Sequence, residues 1–154
     1  MNEQPYIDLY KKTVEWIKKH SAACPNTRRD EAFERFTAVG FPTKNEENYL
    51  YCHLMEHLGI DYGLNINRIN IPVDPSNVFK CDVPGIQAYL YFILNDQFYT
   101  GSVATSKPLP DGVVMCSMIE ASERYPELVA TYLGKQTANK KDGFTAFNEA
   151  FAQD

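Results

Sequence analysis

Apolar residues near the start of the chain recur three and four positions apart, at Tyr6, Tyr10, Val14 and Ile17, with Leu9 beside them. This spacing predicts an amphipathic helix over residues 5–19, with lysines on the other face and toward the C-terminal end, where cations suit the helix dipole. The face is expected to pack on the chain's own core, with Trp16 contributing. Residues 21–27, SAACPNT, read as a break, with Pro25 barring helix continuation and Asn26 or Thr27 available as an N-cap. A second helix is predicted from Arg28 to Val39, burying Ala32, Phe33, Phe36 and Val39 and ending at Gly40. Phe41-Pro42 then turns the chain. Thr43 and Glu46 match a capping box and predict a third helix from Lys44 to Leu58, closed by Gly59.

Beyond Ile60 the pattern changes. Residues 60–84 alternate polar and apolar positions around Pro72, Pro75 and Pro84, which predicts extended chain with a short strand at Ile66–Val73. Ile86–Leu94 and Gln97–Val103 read as a hairpin about Asn95-Asp96, and Val113–Ser117 as a third short strand. Lys107–Gly112 is a loop. A short helix follows at Ile119–Glu123. Pro126 opens another that continues over Glu127–Leu133 to Gly134. After a polar connection at 137–143, Phe144, Phe147 and Phe151, with Ala150 near them, mark a last helix over Phe144–Ala152. The expected fold is α+β: N-terminal helices, a small antiparallel hairpin-based sheet and short C-terminal helices, in a single domain over residues 1–154.

Composition narrows the function classes. The chain has 154 residues, 44% apolar and 23% charged, the profile of an ordinary globular protein able to bury a core. Its longest apolar run, Ala88 to Leu94, is far short of the roughly 20 residues that span a bilayer. No membrane association and a cytoplasmic location are the expectations. Net charge is −5: residues 1–49 balance eight Lys/Arg against eight Asp/Glu, while residues 50–154 carry seven against twelve. The basic pairs at 11–12, 18–19, 28–29 and 140–141 read as solvated helix faces or ends, and none builds the basic stripe a nucleic-acid partner requires. Cys24, Cys52, Cys81 and Cys116 stand far apart without zinc-ribbon spacing, and are expected to be reduced, structural thiols.

One short motif carries possible chemistry. His53-Leu54-Met55-Glu56-His57 has the H-x-x-E-H spacing of one class of zinc peptidases, with the two imidazoles a helical turn apart and Glu56 as the base. On the predicted helix, however, His57 falls between Leu50 and Leu54 on the apolar stripe, while Cys52 and Glu56 point away from it. The four polar residues do not converge, so a half-buried His57 and a rim His53 are the expectation. There is no GxSxG, no phosphate-binding GxxxxGK[ST] and no GxGxxG.

The segment RFTAVGFPTKNEE, from Arg35 to Glu47, resembles the N-terminal signature of the SufD family of the SUF iron–sulfur cluster assembly system, approximately R…A…F…GFPT…NEEW-Y. Arg29, Ala32 and Phe33 fit its upstream part, and residues 61–67 occupy the place of the family's connecting segment. The later order is similar too: YLYFILNDQFYTG, then GVVMCSMIEASERYPELVATYLG, then DGFTAFNEAFAQD. The sequence departs at Tyr49-Leu50-Tyr51-Cys52, where the family has Trp, a basic residue, Tyr and Thr.

The resemblance implies an N-terminal domain followed, in the family, by a right-handed parallel β-helix and a helical segment. On that reading the chain ends where the β-helix would begin. The family's cluster-building residues and the surface that meets the SufC ATPase lie in those later parts. No catalytic, cofactor-binding or metal residue is therefore carried over, and HLMEH coincides with no family site. The expected function is a non-catalytic module of a SufD-like scaffold subunit, with SufB and SufC as partners of the whole protein and no cofactor of its own. The alternatives are a small zinc-dependent hydrolase using His53, Glu56 and His57, and a stand-alone interaction domain.

Overall fold

The computed structural model describes residues 3–52, 54–58, 66–75, 91–99, 109–135, 137 and 141–154. Among them are six α-helices and one two-stranded antiparallel sheet, a helix-dominated α+β architecture.

Helix α1, Gln4–His20, has Pro5 in its first turn, where an absent N–H costs nothing, and Lys18, Lys19 and His20 in its last. Tyr10 and Ile17 are its buried residues. Helix α2, Ala23–Val39, starts earlier than the sequence pattern predicts. Pro25 lies within its first turn, where the missing donor would have had no intrahelical partner, so it opens the helix without barring it. Asn26 caps the wrong helix for the expected role: its side-chain amide donates to the Lys18 carbonyl of α1 at 2.8 Å. Gly40, at φ 73°, ends α2 and donates its N–H to the Phe36 carbonyl.

The predicted helix from Lys44 to Leu58 is not formed. A 3₁₀ turn at Glu47–Tyr49 and a separate five-residue helix, α3 at Leu54–Leu58, take its place. The capping box is half made: the Thr43 N–H donates to Glu46 Oε1 at 2.8 Å, but the Glu46 N–H goes to the Thr43 carbonyl, closing a turn. Leu50 and Tyr51 are exposed, so no buried apolar face rewards a longer helix here. Tyr49 is meanwhile drawn away, its hydroxyl donating to Asp142 Oδ2 at 2.8 Å.

The hairpin is present. β1, Ile93–Leu94, pairs with β2, Gln97–Phe98, with Ile93 opposite Phe98 and Leu94 opposite Gln97. Asn95 and Asp96 both have positive φ, the geometry that matches a two-residue turn to strand twist. The strands are shorter than predicted: Tyr91, Phe92 and Tyr99 lie outside them, though the Tyr99 N–H donates to the Phe92 carbonyl at 2.9 Å, and residues 86–90 and 100–103 lie outside the described residues. Asn95 and Gln97 donate to the Ile69 and Arg68 carbonyls, which fixes the hairpin against the 66–75 segment. That segment is not the strand expected at Ile66–Val73. Arg68 sits at φ 46°, and the Val73 N–H turns back to the Ile71 carbonyl across Pro72. Val113–Ser117 is not a strand either: Val113, Val114 and Met115 are about half exposed, and Ser117 instead caps the next helix.

That helix is α4, Met118–Arg124, whose Glu120 N–H donates to Ser117 Oγ at 3.0 Å. Helix α5, Pro126–Tyr132, opens on its proline as expected, and Gly134 follows with φ 72°. Helix α6, Gly143–Phe151, is capped by Asp142, which accepts from the Thr145 N–H.

The core lies where α1, α2 and α6 meet. One cluster joins Tyr10, Ala32 and Ala150, with Val14, Phe33 and Phe151 against it. The other joins Phe36, Phe41 and Ala146, flanked by Tyr6, Ile7, Leu58, Phe144 and Phe147, and Phe33 touches both. Tyr10 stacks on Phe33 at 3.8 Å, whereas Tyr6 meets Phe41 and Phe147 edge-on, a favoured arrangement for aromatic quadrupoles. Ala146 and Ala150, one turn apart, form the small-residue face of α6 that lies on α2. Val39, expected in the core, is exposed at the end of α2.

The backbones of α2 and α6 approach most closely at two glycines. A Cβ on Gly143 would sit 1.5 Å from the Gly40 carbonyl oxygen. Gly143→Ala is therefore expected to cost about 3 kcal/mol or more in urea unfolding. Gly112→Ala, at φ 81° with nothing within 4 Å, is expected to cost only about 1 kcal/mol. Equal losses in the two variants would contradict the close approach.

Candidate functional site

The metal motif does not assemble a site among the described residues. His53 lies outside them. Glu56 and His57 are exposed on α3, so His57 is not the half-buried core residue that the predicted helix required. That helix is broken: Leu58 of α3 packs against the core cluster of Phe36, Phe41 and Ala146, and its carbonyl accepts from the Tyr6 hydroxyl at 2.9 Å. Among the described residues no three His, Cys, Asp or Glu side chains gather closely enough to hold a metal ion. Cys24 and Cys116 are half-buried free thiols and Cys52 is an exposed one; Cys81 falls outside the described residues. Burial, then the neighbouring Glu120, push the Cys116 thiol up, away from thiolate character.

Among the described residues, polar chemistry concentrates instead on α2 and α6. Arg29 is fully buried. Its guanidinium donates to the Ala150 carbonyl at 2.5 Å, the Ala152 carbonyl at 2.6 Å, Asn26 Oδ1 at 3.0 Å and Ser21 Oγ at 3.1 Å. These acceptors are neutral. Two of them are carbonyls at the C-terminal end of α6, which lack intrahelical partners and carry the negative end of the helix dipole. Burial lowers the Arg29 pKa, while the nearby Tyr10 and Asp30 act in the opposite sense. The reading of residues 28–29 as a solvated basic pair is thus corrected. The signal was in the sequence: Arg29 stands three and seven residues before Ala32 and Phe36, on the same stripe.

Arg28 and Arg35 lie at the edge of the same surface and share one carboxylate. Arg28 Nε donates to Glu149 Oε1 at 2.8 Å, and Arg35 donates to Glu149 Oε2. Thr137 Oγ1 adds a bond to Oε2 at 3.0 Å. The two arginines also reach the chain before α6, through the Gly134 and Thr137 carbonyls. Arg35 Nε is buried without an acceptor. Burial raises the Glu149 pKa, but bonds from Arg28, Thr137 and Arg35 outweigh it and hold the carboxyl below its usual range. Asp142 follows the same logic, with burial overcome by the Thr145 and Tyr49 donors. Burial and the bond to Asp142 push Tyr49 up to about 12.

This arrangement clasps; it does not enclose. The cleft beside it, lined by Arg28, Met118, Leu133 and Glu149 among others, holds about 80 Å³. Small-molecule sites typically have roughly 300–1,000 Å³. Arg28 and Arg35 grip α6 and its approach, Gly40 and Phe41 pack beneath its start, and Tyr49 reaches its cap.

A family model described as the N-terminal region of the SufBD protein matches residues 1–154. No curated protein and no solved structure matches the chain. No helix among the described residues is long and apolar enough to cross a membrane.

Two outcomes are expected of the clasp. Arg29→Met removes the donors and leaves helix-end carbonyls buried without partners, which should cost about 3 kcal/mol by urea titration; an unchanged midpoint would contradict the assignment. The second outcome concerns acid. Glu149 and Asp142 are held below their ordinary values of 4.5 and 3.8. Their stabilisation is complete above those values and is lost as pH falls through the lower folded ones. Glu149→Gln should lower stability by about 2 kcal/mol at pH 7 and flatten the loss that sets in as pH falls below the ordinary carboxyl value and through the lower folded one.

Proposed function

The chain belongs to the SufB/SufD family, since the match spans its whole length, and we propose that it serves as the non-catalytic N-terminal module of a SufD-type scaffold subunit in iron–sulfur cluster assembly. The whole-length match is the observation that carries the reading. The SufD branch is favoured by the order of its motifs, from GFPT and NEE through YLYFILNDQFYTG to PELVATYLG and DGFTAFNEAF. The use of the signature residues supports a structural role. Arg35, Gly40 and Phe41 are engaged in holding α6, and the described thiols and histidines do not converge. In this reading cluster chemistry belongs to other parts of the assembly. The module contributes a stable body to the subunit, and SufB and SufC are the partners of the whole protein.

Two measurements test this. Antibody raised against the chain, used to capture the native protein from cells, should recover SufB and SufC with it. Recovery of SufC without a separate SufB subunit would place the protein in the SufB branch. The isolated chain, exposed anaerobically to ferrous iron and sulfide and then desalted, should retain no visible-absorbing cluster. A cluster lost on replacing Cys24, Cys52, Cys81 and Cys116 with serine would overturn the non-catalytic assignment. One equivalent of zinc, lost in a His53→Ala/His57→Ala double variant, would redirect it toward the hydrolase reading.

A further inference from the structure

We draw no further inference here: the strongest candidate, the exposed apolar row of Ile69, Ile71 and Val73 on the extended segment beside the β1–β2 hairpin, carries no proposal because nothing in the structure shows what covers it.

Discussion

A guanidinium taken fully out of water costs several kcal/mol unless its donors are met, and Arg29 is in that position. Among the described residues its guanidinium bonds to carbonyls, an amide oxygen and a hydroxyl, and to no carboxylate. Its nearest acid, Asp30, is taken up by Lys18 at 2.9 Å and by the Tyr10 hydroxyl at 3.1 Å. The charge is accommodated because α6 ends against it, presenting carbonyls that would otherwise be orphans. Each side solves the other's difficulty: the helix end needs donors and the buried cation needs acceptors. Either one alone would be a liability. Together they fix both the position of α6 along α2 and its direction.

With that end fixed, the other contacts follow in order. The two helices run antiparallel, so the start of α6 falls at the end of α2, where Gly40 and Gly143 let the backbones touch. Between the two ends Ala146 and Ala150 keep α6 close to Ala32 and Phe36, and Tyr6 and Tyr10 bring α1 over the seam. Glu149 ties Arg28 and Arg35 along the side. The chain leaving α6 is held as well: the Gln153 carbonyl accepts from the Ala22 N–H, and Asp154 accepts from the Ile119 N–H and from Arg68. The helical core is thus connected to α4 and to the segment that carries the hairpin. Much of the family signature makes physical sense in this frame: Arg29, Ala32, Arg35, Phe36, Gly40 and Phe41 all meet α6.

Much of this was legible in the sequence. Helical spacing identified α1, α2 and α6 with most of their buried faces, and Gly40, Pro126 and Asn95-Asp96 marked ends and a turn that local stereochemistry demands. The misses share a cause, which is that local signals were overruled by distant partners. The TKNE capping box was outweighed by the pull of Asp142 on Tyr49 and by the lack of anything for Leu50 and Tyr51 to pack on. Pro25 and Asn26 looked like a break because the role of Asn26 is to cap the preceding helix. The apolar stretches at 66–73 and 113–117 have strand composition, but pairing is a property of two segments, and the described residues give them no partner strand. Of the HLMEH motif, Glu56 and His57 lie exposed on α3, and His53 lies outside the described residues. Arg29 reads locally as half of a basic pair, because the two carbonyls that draw it inward, at Ala150 and Ala152, lie more than 120 residues away.

The central claim is that α2 and α6 form one cooperative unit, fastened at both ends and along the seam. Native-state hydrogen exchange under increasing denaturant tests it most directly, since amides that open together share one free energy and one slope. Amides of α2 and α6 should exchange through the same opening, at the free energy of global unfolding, while those at 47–58 exchange far sooner. Fast, independent exchange in α6 while α2 stays protected would contradict the account.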